Sequence, residues 1–184
     1  MGNLDLLIIA IGVAMDAFAI SICKGMAIDK IKIKHIIIVG IYFGGFQALM
    51  PIIGYFLGIS FSSYVMAINH WVAFIILFIL GLNMVMAKDR GERIGASFSI
   101  KVMLPFALAT SIDSLAVGVT LATLKAQIIS SILIIGIVTF IFSGLGLVIG
   151  HKFGAKLKNK AELIGGLILI FMAFEILLEY LNVL

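Results

Sequence analysis

Residues 4–25 read LDLLIIAIGVAMDAFAISICKG, an apolar run long enough to cross a hydrocarbon layer with one carboxylate, Asp16, in its middle. Counted from Leu4, Asp16 falls near the bilayer centre. An ionisable side chain at that depth costs roughly 2.5–3.5 kcal/mol even on the lenient insertion scale, so structural need alone rarely retains one. No basic leader precedes the run and no A-x-A cleavage pattern follows it, which predicts a retained helix rather than a secretory signal.

Five further apolar stretches follow, at about residues 35–58, 68–87, 102–124, 127–150 and 162–182. With 63% apolar and only 12% charged residues, the 184-residue chain has too little polar surface to cover a water-soluble globule. The expected fold is an all-α membrane protein of six transmembrane helices, forming a single domain over residues 1–184 with lipid as its solvent. Short connections leave no space for a soluble catalytic or nucleotide-binding module, and no Walker-type phosphate loop is present, so neither enzyme activity nor ATP hydrolysis is expected. The one cysteine, Cys23, excludes an internal disulfide and a CxxC site; it reads as a small packing residue.

The thirteen Lys and Arg residues orient the bundle. Lys24, Lys30, Lys32 and Lys34 flank the first connection, Lys88, Arg90, Arg93 and Lys101 the third, and Lys152, Lys156, Lys158 and Lys160 the fifth. Only Lys125 lies elsewhere. Six spans place those three connections on one side, and the positive-inside rule makes that side cytoplasmic, with both termini and Lys125 outside. Short basic clusters beside spans are topological signals, so no nucleic-acid partner is expected. His35, His70 and His151 sit at span ends and read as interfacial residues rather than metal ligands, and Trp71 with Tyr64 reads as an interfacial anchor.

The two halves of the chain resemble each other. Ala14-Met15-Asp16-Ala17-Phe18-Ala19 matches Ser111-Ile112-Asp113-Ser114-Leu115-Ala116, with the aspartates at positions 16 and 113, an offset of 97. Ile53-Gly54-Tyr55-Phe56-Leu57-Gly58 matches Ile149-Gly150-His151-Lys152-Phe153-Gly154, each keeping a G-x-x-x-G spacing. Units of three helices enter the membrane from opposite sides, so the expectation is two inverted-topology repeats, about 1–90 and about 98–184. Transporters of that plan bind their cargo near the midplane, where the halves meet.

Asp113, about twelve residues into its span, also lies at mid-depth. No Lys, Arg or His is expected deep in any span, so each aspartate is either neutral or charged because a cation visits it. Thr110 and Ser111 beside Asp113, together with Gln47 and Asn83, add neutral oxygens as candidate metal ligands. Carboxylates, hydroxyls and amide carbonyls suit Mg²⁺, Ca²⁺ or Mn²⁺ better than copper or zinc. Met15 and Met50 read as core filler more readily than as thioether ligands. Gly44-Gly45 and Pro51 are expected to bend the second span and free backbone carbonyls there. Glu175, a third carboxylate inside a span, is a candidate proton or ion relay.

Four strings in order, Met15-Asp16-Ala17-Phe18-Ala19-x-Ser21 with Lys24-Gly25, Phe43-Gly44-x-Phe46-Gln47-x-x-Met50-Pro51-x-x-Gly54, Ala109-Thr110-Ser111-Ile112-Asp113-Ser114-Leu115-Ala116-Val117-Gly118, and Lys160-Ala161-Glu162-x-x-Gly165-Gly166, resemble the MntP-type manganese efflux pumps of bacteria. The likeness covers essentially the whole chain. It implies a multi-pass inner-membrane exporter that lowers cytoplasmic Mn²⁺, carries the ion as substrate rather than cofactor, and depends on Asp16 and Asp113. Two other readings compete. An intramembrane aspartyl protease also has two membrane aspartates, but in YD and GxGD contexts that Met-Asp-Ala and Ile-Asp-Ser do not match. An exporter of another divalent cation or small solute on a related six-helix scaffold is the nearer rival. With no nucleotide site, the expected energy source is cation/proton exchange.

Overall fold

A computed structural model describes residues 3–90, 96–123, 127–157 and 160–180, with side chains described for 6–57, 71–86, 96–122, 127–154, 160 and 163–178. Five helices make up the described chain: α1 (Asn3–Ala27), α2 (Ile33–Arg90), α3 (Ile100–Thr123), α4 (Ile128–Leu157) and α5 (Ala161–Tyr180). No strand occurs among the described residues. Four segments are long and apolar enough to cross a membrane, Leu6–Ala27, Ile33–Leu57, Ile100–Ala122 and Ile128–Gly154, and two shorter apolar helices run over Trp71–Met86 and Leu163–Leu178.

The expected second and third spans belong to one helical element. Between Ile59 and Asn69 the sequence contains no Gly, Pro or charged residue to break a helix. Yet α2 is not a straight rod, because its 58 residues would then extend about 87 Å, nearly three times the hydrocarbon thickness. A chain of side-chain contacts joins its two ends. The His35 ring stacks on Phe98 at 4.4 Å, the Lys24 ammonium lies 5.0 Å from the Phe98 ring, and Gly165 touches both Cys23 and Met84. The first limb of α2 (33–57) and the second (71–86) therefore return to the same end of the bundle.

Polarity is arranged inside out. Large apolar side chains such as Ile41, Phe56, Leu133 and Phe171 are exposed, whereas Ser21, Gln47, Thr110, Ser111, Ser114, Thr139 and Ser143 are buried. In water that distribution would be costly; against lipid tails apolar exposure carries no penalty, while hydroxyls and amides are best turned inward.

Helices approach closely where glycines meet. A side chain at Gly54 would strike the Leu115 carbonyl, and one at Gly118 the Pro51 carbonyl, so these glycines face each other where the first limb of α2 crosses α3. Gly25 and Gly150 repeat the arrangement where α1 crosses α4, against the carbonyls of Leu147 and Ile22. Without a hydrophobic drive between helices in lipid, such backbone proximity supplies the dispersion that holds them together. Phe74 and Phe78 of the second limb pack edge-on against Phe174 of α5, with centroids 5.7 and 5.9 Å apart. Pro51 is accommodated within α2.

Candidate ion site

Asp16 is half-buried on α1, one turn beyond Val13. Gln47, fully buried on the first limb of α2, donates from Nε2 to the Val13 carbonyl at 2.6 Å. A helical carbonyl points toward the turn that follows it, so the Gln47 amide sits level with Asp16 and Ala17. Two of the expected ligand residues, Asp16 on α1 and Gln47 on α2, thus lie at one level of the bundle.

Asp113 is exposed on α3. Its neighbours Thr110 and Ser111 are buried, but their hydroxyls are used locally. Thr110 donates at 3.1 Å toward the Phe106 and Ala107 carbonyls, and Ser111 at 3.1 Å to Leu108. Hydroxyls on membrane helices commonly turn back on the preceding turn in this way, and their second lone pair stays open to a ligand. Asn83 is exposed on the second limb of α2, and Glu175 is exposed on α5 rather than buried as its position within a span suggested. Among the described residues no three His, Cys, Asp or Glu side chains come together in a form able to hold a metal.

Lys24 is the residue whose place the sequence misrepresents. Counted above with the first connection, it lies within α1 and is fully buried. Its ammonium donates to the Ser97 carbonyl at 2.7 Å and sits 5.0 and 5.4 Å from the rings of Phe98 and Phe106. A desolvated ammonium gains from aromatic faces and from a carbonyl acceptor, which together replace its water. The result is a plug at the basic end of the bundle, where the segment before α3 folds over Lys24 and Phe98 stacks on His35. His151 donates from Nδ1 to the Ile28 carbonyl at 2.9 Å and ties the end of α4 to the same place. One signal in the sequence marked Lys24: it continues the stripe Ala10, Ala14, Ala17, Ser21, all fully buried, at the spacing of a packed helix face.

Comparison with known proteins identifies the scaffold that carries these groups. Residues 30–177 match the family model described as "Putative manganese efflux pump" (Mntp). The chain belongs to the MntP family. Family members of the same description include one from Desulfitobacterium hafniense, 52% identical over 184 residues, covering 99% of this chain and 97% of the relative. One from Acetivibrio thermocellus is 48% identical over 186 residues, covering 100% and 94%. A third, from Campylobacter jejuni, is 51% identical over 180 residues, covering 96% of each chain. No solved structure matches. With four helices long and apolar enough to cross a membrane among the described residues, the chain is a multi-pass helical membrane protein, and its family places it with transporters rather than enzymes.

Proposed function

We propose that this protein exports Mn²⁺ from the cytoplasm across the inner membrane by exchange for protons, using Asp16 and Asp113 as the carboxylates that receive the ion. The likeness along the whole chain to relatives named as manganese efflux pumps carries the substrate assignment. Two carboxylates inside apolar spans, with Gln47 docked level with one of them, supply a chemical reason for cation transport.

The architecture proposed for it is six spans in two inverted repeats. Several contacts exchange under an offset of 96, which supports that plan. Gly40 meets Phe140 and Gly44 meets Gly136, each contact being the mate of the other, and α2 meets α3 at Gly54 as α4 meets α1 at Gly150, the mate of Gly54. Lys24, Ser97, Ile28 and His151 gather at one end, which supports a shared side for the basic connections. By the positive-inside rule that end is cytoplasmic and both termini are outside. Lys125 lies outside the described residues.

Moving Mn²⁺ out against an inside-negative potential costs about 4.6 kcal/mol at 100 mV. Exchange for two protons removes that electrical cost. Metal and protons would compete for the same carboxylate oxygens, and the competition couples their movement. Bacterial cells lacking their own manganese exporter test the assignment. Expression of this chain is expected to lower cell-associated manganese and restore growth in excess Mn²⁺. Unchanged manganese content, with the protein present in the membrane, would refute it; loss of cadmium, magnesium or calcium instead would reassign the cargo.

A further inference from the structure

Buried hydroxyls in this chain fall into two classes. Ser21, Thr110 and Ser111 donate to carbonyls of their own helix, Ser21 to Ala17 at 2.6 Å. Thr139 and Ser143 on α4 and Ser114 on α3, also fully buried, have no hydrogen-bond partner among the described residues, and neither does the Oε1 of Gln47. Local back-bonding is open to any Ser or Thr on a helix, so the two α4 hydroxyls forgo a partner within reach. In a membrane interior an unpaired polar group is costly, and its persistence points to a ligand.

The two α4 hydroxyls and Gln47 share one seam. Thr139 and Ser143 are one turn apart on α4, on the side that packs against α1 and the first limb of α2. Gly136, just before them, meets Gly44 and Ala48 of α2, and Gly146, just after, meets Phe18 and Ser21 of α1. Gln47 follows Gly44 by one turn and reaches the α1 backbone level with Asp16. Pro51 strengthens the case, since it has no N–H to offer the Gln47 carbonyl, the helical partner four residues before it. Gln47 therefore brings two oxygens that the helix does not consume.

We propose that Gln47, Thr139 and Ser143 are neutral-oxygen ligands for a hard divalent cation at the junction of α1, α2 and α4, completing the coordination that Asp16 begins. This rests on the assignment of Asp16 as an ion-receiving carboxylate. A site with one carboxylate and several neutral oxygens binds Mn²⁺ weakly enough to release it, which suits a carrier better than a cage of three acids. It also fits the lack of a carboxylate or histidine cluster among the described residues. The oxygens come from helices on both sides of the glycine contacts, so sliding of α4 against α2 would assemble or disperse the set.

The test is Mn²⁺ binding to the purified full chain in lipid nanodiscs, read by loss of the free-ion electron paramagnetic resonance signal. Thr139→Val and Ser143→Ala are each expected to raise the Kd about tenfold, while Thr139→Ser, which keeps the oxygen, binds within about twofold of the parent. Ser143→Ala adds no bulk, so it decides the matter should Thr139→Val fail to remain monodisperse. Unchanged Kd in Ser143→Ala and Thr139→Val, with binding lost in Asp16→Asn, would overturn the proposal and leave Asp16 in its role. Unchanged Kd in Asp16→Asn would remove the carboxylate assignment, and with it this site.

Discussion

The α1–α4 crossing and the α2–α3 crossing are built alike and furnished differently. In both, two glycines face each other and each abuts the other helix's carbonyl. Along α1 and α4, on either side of the first, lie a buried ammonium, Lys24, an amide docked on α1, Gln47, and two α4 hydroxyls without a partner among the described residues, with Asp16 half-buried. Around the second, Asp113 is exposed, Thr110 and Ser111 are bonded to their own helix, and the buried Ser114 hydroxyl has no partner among the described residues. The carboxylates nearly share a register: Gly118 corresponds to Ile22 under the offset of 96, and Asp113 precedes Gly118 by five residues where Asp16 precedes Ile22 by six. Backbone packing is thus common to the two crossings, while the buried polar groups beside them differ.

The sharpest way to break that comparison is to neutralise each carboxylate. Asp16→Asn and Asp113→Asn keep size and remove charge, and each is expected to reduce manganese export to background while the protein still inserts. If only Asp16→Asn is inactive, the furnished crossing works alone; if neither is, the carboxylates have no part in transport. The glycine pairs come next. Gly118→Leu and Gly25→Leu force a side chain into a backbone carbonyl that cannot swing aside, at a cost of about 3 kcal/mol or more. Both should lower the thermal midpoint in detergent by a similar amount, and unequal losses would show that the crossings are less alike than their contacts suggest.

Lys24→Met tests the furnishing itself. Methionine fills the same space but leaves the Ser97 carbonyl without its donor, an expected loss of about 1–3 kcal/mol, measurable as a lower melting temperature and faster proteolysis around residues 96–99. An unchanged protein would mean that the plug is held by Phe98 and His35 alone. The smallest effect is expected from Glu175→Gln. Its exposed place on α5 keeps it off both crossings, so export should slow modestly, with the change confined to its pH dependence if the side chain relays protons.

Much of this was legible in the sequence. Six apolar stretches, the two mid-span aspartates and the small residues at Gly54 and Gly150 declare themselves through length and spacing, because lipid imposes both. Gln47 stood out as an amide inside a span. What stayed hidden depends on direction rather than identity. Thr139 and Thr110 are the same residue type on similar helices, yet one bonds its own backbone and the other does not. Lys24 counts with the loop charges until the helix is seen to bury it. The helical continuity of α2 between its limbs leaves no mark in hydropathy, which separates stretches 35–58 and 68–87, although no breaker stands between Ile59 and Asn69.

Flux through purified protein tests the central claim most directly. With the protein in proteoliposomes, membrane potential clamped and the lumen acidic, Mn²⁺ should accumulate inside, accumulation should collapse when the pH gradient is dissipated, and Asp16→Asn should show neither. Mn²⁺ flux indifferent to the gradient would contradict proton exchange, and flux that survives Asp16→Asn would contradict the carboxylate site on which the whole account depends.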